Sequence, residues 1–116
     1  MTDSELLERM NDAFRQINES IEALGALLEL DKKADFRWSG IARLPMGKLL
    51  INSQKTGKQS SPEGTKAVLE AYSDLTLEGR FIARVLFYAD NTEIELPGGA
   101  RRPFDHSGVV KMFSSL

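Results

Sequence analysis

Large apolar residues recur every three or four positions along residues 6–30, which read LLERMNDAFRQINESIEALGALLEL. This spacing is typical of an amphipathic helix whose apolar side chains share one face. Acidic residues within 3–8 favour a helix start near residue 4, and the lysines at 32 and 33 favour an end near residue 32. Gly25 lies inside this pattern, where it costs up to about 1 kcal/mol relative to alanine and allows a bend. The apolar face, here called the seam, carries Leu7, Met10, Phe14, Ile17, Ile21 and Leu24.

Two partners are open for the seam: the sheet of its own domain or a second chain. A helix over residues 4–32 is about 43 Å long at about 1.5 Å per residue. The remaining ~80 residues form a globule about 30 Å across, so this helix is expected to extend beyond its own domain. A strict 3.5-residue period also gives a narrow stripe, which suits a partner helix better than a sheet. We therefore favour a coiled coil between chains over cover by the protein's own sheet.

This interpretation divides the chain into two parts. Residues 1–33 are expected to form an oligomerisation element, and residues 34–116 a small globular domain. The assembly is predicted to be a homo-oligomer, most simply a homodimer.

Strands are predicted by runs of β-branched and aromatic residues bounded by turn signals. Residues 35–43 and 48–52 read as two strands joined through a turn that contains Pro45 and Gly47. Residues 80–88 and 92–96 read as a hairpin that turns at Asp90-Asn91. A helix over residues 77–89 is the alternative, because Leu77, Phe81, Val85 and Tyr88 also lie about one helical turn apart.

The remaining segments read as loops and short helices. Residues 53–65 form the longest loop candidate, and residues 100–106 read as irregular. A second helix is expected from Ser61-Pro62, with Val68, Leu69 and Tyr72 on one face, and a short final helix over residues 108–113. The predicted class is α+β: a long N-terminal amphipathic helix, a small mainly antiparallel sheet, and one or two short helices.

Several kinds of chemistry are excluded by composition. The chain has no cysteine and one histidine, so disulfides, thiolate nucleophiles, thiolate metal sites and His-rich metal sites are all ruled out. TGKQS at residues 56–60 fails as a phosphate-binding loop, since Asn52 stands where the first glycine belongs and Gln59 where a Ser or Thr belongs. We predict neither a catalytic site, nor a bound cofactor, nor a metal.

Residues 101–108, RRPFDHSG, are the strongest counter-candidate. Two arginines there suit a phosphate or carboxylate, and Asp105 beside His106 suits acid–base catalysis. Adjacent residues rarely present their side chains to one atom, however, and Asp105 or Ser107 equally suits the cap of the final helix. The arginines are better regarded as a contact point for an acidic partner.

Charge is unevenly distributed along the chain. Residues 36–69 hold six basic side chains and one acidic side chain, whereas residues 1–35 hold nine acidic and four basic ones. Basic residues interleaved with Phe36 and Trp38 are compatible with nucleic-acid binding, although both aromatics would share one strand face and so also suit a core. The candidate contacts for nucleic acid or an acidic partner are Arg37, Arg43, Lys48, Lys55, Lys58, Lys66, Arg101 and Arg102.

The predicted function is that of a non-enzymatic, homo-oligomeric protein-interaction module, such as an adaptor, inhibitor or regulatory factor. The alternative is a nucleic-acid-binding protein that uses the basic segment 37–66. The acidic N-terminus is unlike a signal peptide, and no apolar run reaches the ~18 residues of a membrane span. A cytoplasmic location without a membrane partner is therefore expected.

Overall fold

The structure, a computed structural model, describes residues 3–32, 38–56 and 68–114. Its strands form one sheet in chain order, and each strand pairs antiparallel with its neighbour along the chain. The class is α+β, as predicted. The elements are α1 (Asp3–Glu22), β1 (Glu29–Lys32), β2 (Trp38–Leu44), β3 (Gly47–Lys55), β4 (Leu69–Leu77), β5 (Arg80–Tyr88), β6 (Thr92–Glu95), β7 (Arg101–Pro103) and α2 (His106–Phe113).

Helix α1 lies on one face of the sheet, called the inner face, and its seam belongs to the protein's own core. Met10, Ile17 and Ile21 have no exposed surface, and Phe14 is 1 % exposed. The ring of Phe14 lies 5.2 Å from that of Trp38 and 6.4 Å from that of Phe87, centroid to centroid. These aromatic contacts attach α1 to both halves of the sheet.

The structure corrects the assignment of the seam to a second chain. Four of its residues are buried by the sheet, Leu7 packs against the same core, and only Leu24 lies elsewhere. Leu6 and Ala13 beside the seam are buried too, so the apolar stripe is wider than a heptad seam and suits a sheet. The homo-oligomer itself stays a prediction.

The predicted end of the helix at residue 32 is also wrong, and Gly25 is the reason. The N–H of Ala26 donates to the carbonyl of Ile21 at 3.1 Å, and the N–H of Gly25 donates to that of Glu22 at 2.9 Å. With Gly25 at a φ of 86°, these bonds form a Schellman motif, in which a left-handed glycine stops the helix. The 20-residue helix is about 30 Å long at about 1.5 Å per residue, so it does not extend beyond a molecule measuring 43 × 31 × 23 Å.

Both predicted hairpins are confirmed. Strands β2 and β3 meet through a turn at Pro45-Met46, and β5 and β6 meet after Tyr88. The helical alternative for residues 77–89 is therefore wrong. Residues 33–37 lie outside the described residues.

Three other segments differ from prediction. Residues 69–77 form a strand rather than a helix, because Ala71, Ser73 and Leu75 alternate as buried positions with half-exposed ones. Residues 29–32 and 101–103 are edge strands, where the end of a helix and an irregular segment were expected. Of the predicted loop 53–65, residues 53–55 belong to β3; residues 57–67, which include the predicted helix start, lie outside the described residues.

Helix α2 packs on the inner face beside α1. Val109 and Met112 are buried in the common core, and the short final helix is confirmed. The opposite face of the sheet, called the outer face, carries alternate residues of the strands. No helix among the described residues is long and apolar enough to cross a membrane.

Candidate interaction site

A groove with a volume of about 860 Å³ lies between α1 and α2. It is open to solvent along one side, and its lining mixes apolar side chains with polar ones. The apolar residues of the groove are Ala23, Leu24, Val109, Val110 and Phe113. The polar residues are Arg15, Gln16, Glu19, Ser20, His106 and Ser114.

The position of α2 sets the shape of this groove. Asp105 caps the helix, since its side chain accepts a hydrogen bond from the N–H of Gly108 at 2.7 Å. Gly108 lies so close to β7 that a Cβ atom there would come within 2.3 Å of the carbonyl oxygen of Pro103. This close approach, together with the burial of Val109 and Met112, fixes the helix against the sheet.

Helix α2 carries more large apolar side chains than the core covers. Val109 is 1 % exposed, whereas its neighbour Val110 is 50 % exposed and Phe113 is half-buried. At 3.6 residues per turn, the four large apolar side chains of α2 span an arc of about 160°, and the core covers only the part of it that holds Val109 and Met112. Two consecutive apolar pairs, Val109-Val110 and Met112-Phe113, are the sequence signal that could have indicated this wide apolar face.

Opposite charges lie along the α1 side of the groove. Arg15 and Glu19 are exposed and stand one helical turn apart. Arg15 forms an ion pair with Asp12 at 3.3 Å, in which both side chains are more than 60 % exposed, so this pair contributes little stability. No ion pair to Glu19 is formed within the described residues.

The predicted counter-candidate at residues 101–108 does not gather its side chains at one point. Asp105 is occupied as the cap of α2, and Arg101 lies near Glu95, at 3.5 Å, and donates to the hydroxyl of Tyr88 at 2.8 Å. His106 lies at the groove. Within the described part of the chain, no group of three His, Cys, Asp or Glu residues is arranged to hold a metal ion.

The described residues of the predicted basic set do not share one surface. Arg43 and Lys48 are paired across β2 and β3 on the outer face. Lys55 lies on the inner side of β3, where its ammonium group contacts Asp3 at 3.0 Å. Arg37, Lys58 and Lys66 lie outside the described residues.

The two adjacent arginines of β7 are also separated. Arg101 pairs in register with Glu95, and Arg102 pairs with Ile94, which is buried on the inner side. Consecutive residues of a strand point to opposite faces, so these arginines cannot clamp one ligand together.

Comparison of the chain with protein-family models, with curated proteins and with solved structures finds no match.

Proposed function

We propose that the protein is a non-enzymatic protein-interaction module that forms a homodimer through the groove between α1 and α2. The observation that carries this proposal is the half-exposed Val110 beside a groove that mixes apolar and polar side chains and whose rim bears one cation and one anion. In such a dimer, Val110 of each copy enters the groove of the other. This replaces the buried seam as the interface, while α1 still takes part through Leu24.

The occupant is a second copy because the rim is complementary to itself. A two-fold dimer brings the same patch of both copies together, so residue i meets residue j and residue j meets residue i. When two α1 helices cross antiparallel on the groove side, with Gln16 and Ser20 at the crossing, Arg15 of each copy lies opposite Glu19 of the other. The weak contact from Arg15 to Asp12 is then exchanged for an ion pair across the interface.

The role of the module is to present the outer face of the sheet to a target, as an adaptor, inhibitor or regulatory factor does. Dimerisation at the helical layer leaves that face open and doubles its valency. We further propose a cytoplasmic location, with which the lack of cysteine is compatible. Nucleic-acid binding has less support, since the described cations of the basic segment lie on different faces.

The mass of the protein in solution tests this proposal. Wild type is expected to sediment at twice the mass of the chain, and Val110→Asp at the mass of one chain. Leu27→Asp is the matched control, because Leu27 is 60 % exposed and does not line the groove. It should leave the mass unchanged. A monomeric wild type at high concentration would refute the proposal.

Charge reversal gives a sharper test of the two-fold arrangement. Arg15→Glu or Glu19→Arg alone should weaken the dimer, because each places like charges across the interface. The double variant Arg15→Glu/Glu19→Arg should restore it, since the two residues exchange roles. Equal dissociation constants for the single and double variants would contradict the proposed pairing.

A further inference from the structure

The outer face of the sheet carries a row of three apolar residues and one threonine that crosses four strands. Ile41 of β2 pairs with Leu50 of β3, Leu50 pairs with Thr76 of β4, and Thr76 pairs with Phe81 of β5. Phe81 remains 37 % exposed. Met46, in the turn between β2 and β3, is 41 % exposed. An antiparallel sheet normally turns polar residues to water on its open face, so this row is an exception to the pattern.

Two cations stand next to this row. Arg43 and Lys48 lie directly opposite each other across β2 and β3, two positions from Ile41 and Leu50. Like charges in this register destabilise a sheet. Neither cation forms an ion pair within the described residues. We name this surface, composed of Ile41, Leu50, Phe81, Arg43 and Lys48, the outer patch.

Nearby carboxylates do not neutralise the two cations. Glu78 donates its backbone N–H to the carbonyl of Lys48 at 3.0 Å, but its side chain lies over Gly47, where an added Cβ would come within 2.5 Å of it. Glu29 pairs in register with Ile41, and no ion pair joins it to Arg43.

Two other cations of the outer face, Arg84 and Arg101, pair with carboxylates of the same sheet. Arg84 binds Asp74 with contacts of 2.5 and 3.2 Å and lies over the ring of Tyr72 at 4.8 Å. The hydrogen bonds that Arg84 donates to Asp74 raise the pKa of Arg84 above its ordinary value. Arg101 likewise lies near two glutamates. The outer patch therefore differs from the part of the sheet around Arg84 and Arg101 in having two cations that form no ion pair within the described residues.

We infer that the outer patch binds an acidic peptide segment of a partner protein. A carboxylate of the segment lies between Arg43 and Lys48, where a charge-assisted hydrogen bond relieves their mutual repulsion. An apolar side chain of the segment covers Leu50 and Phe81. This surface is separate from the groove, so the inference deepens the proposed function by naming the target class without requiring the dimer.

Charge complementarity favours a peptide over a membrane or a nucleic acid. Recognition of anionic lipid typically uses clusters of four to eight cations, and nucleic acid similarly requires several phosphate contacts. The outer patch has two cations, with Glu29 and Glu78 close by. Two cations are sufficient to bind one or two carboxylates of a peptide. The apolar residues beside them suit an apolar side chain of the same peptide.

Fluorescence anisotropy with a labelled peptide of alternating glutamate and leucine tests the inference. The wild type is expected to bind it, and Arg43→Glu/Lys48→Glu to bind on the order of tenfold or more weakly, since each charge that faces the peptide is reversed. Arg80→Glu is the matched control: Arg80 is exposed, but its register partner Leu77 is buried on the inner side. Phe81→Ser should weaken binding with the charges intact.

Other outcomes would overturn the inference. Undiminished peptide binding by Arg43→Glu/Lys48→Glu would exclude the outer patch, as would equal binding of a peptide with lysine in place of glutamate. Charge-dependent binding to vesicles of phosphatidylserine without peptide binding would identify a membrane surface instead. A lower mass of Arg43→Glu/Lys48→Glu in solution would identify a second copy as the occupant. Val110→Asp should retain peptide affinity, so a result that refutes the groove dimer can be told apart from one that refutes the outer patch.

Discussion

Replacement of Phe14 by alanine tests whether the seam belongs to the protein's own core. Phe14 is 1 % exposed and contacts the rings of Trp38 and Phe87. Truncation of a buried phenylalanine to alanine costs about 3–5 kcal/mol, and this range already includes part of the loss of each aromatic pair, about 0.5–1.5 kcal/mol. With a free energy of unfolding of about 5–15 kcal/mol for a domain, this loss removes a large share of the stability.

Urea denaturation followed by tryptophan fluorescence measures the effect, because Trp38 is the only tryptophan and lies against Phe14. The comparison is made in the Val110→Asp background, where the proposed dimer is absent and the midpoint is independent of concentration. Phe14→Ala should lower the free energy of unfolding by about 3–5 kcal/mol. Glu8→Ala, at an exposed position of the same helix, should change it by less than about 0.5 kcal/mol.

One result would refute this reasoning. If the seam paired with a second chain, Phe14→Ala would convert an oligomer into a folded monomer and leave the unfolding free energy of the isolated chain nearly unchanged. Loss of stability at constant oligomeric state is the signature of an internal core.

Two further predictions concern the ends and the attachment of α1. Gly25→Ala should lower the free energy of unfolding by about 1–2 kcal/mol, because a φ of 86° strains a residue with a Cβ. Gly25→Asn should lower it less, since asparagine tolerates this region of φ. Equal effects of the two substitutions would contradict the left-handed cap. Arg9→Met should lower the free energy of unfolding by about 1–3 kcal/mol, because the carbonyl of Tyr88 and the hydroxyl of Thr92 both lose the guanidinium donor. Burial lowers the pKa of Arg9, a desolvation cost that these bonds offset. Retention of wild-type stability in thermal or urea unfolding would show that the bonds contribute nothing net.

The heptad pattern identified which residues of α1 are buried but not what buries them. Periodicity reports the width and direction of an apolar face, and the heptad seam is too narrow here because it leaves out Leu6 and Ala13, which are also buried. Helix α1 is also shorter than predicted, because Gly25 ends it. The apolar pattern continues past this glycine into Leu27 and Leu28, so the sequence alone predicts a longer helix in which Gly25 only allows a bend.

Strand β4 was missed for a different reason. Its buried positions include Ala71 and Ser73, whose small side chains give no alternation of hydrophobicity, and the hydroxyls of Ser53 and Ser73 satisfy each other at 2.7 Å inside the core. This pairing can be recognised only when the register of β3 and β4 is known. The groove also depends on register, because it arises where α2 meets α1, nearly 90 residues away along the chain.

The order of the strands has a consequence for synthesis on the ribosome. Because every strand pairs with its chain neighbour, the sheet can assemble by successive local hairpins, which is the fast route for a β-rich chain. Helix α1 is the exception: it emerges first, yet the aromatic ring of Phe87 that covers Phe14 emerges more than 70 residues later. Part of the apolar face of α1 therefore remains uncovered until β5 has been made. The exposed positions of α1 carry mostly acidic side chains, whose charge disfavours aggregation of the nascent chain during that interval.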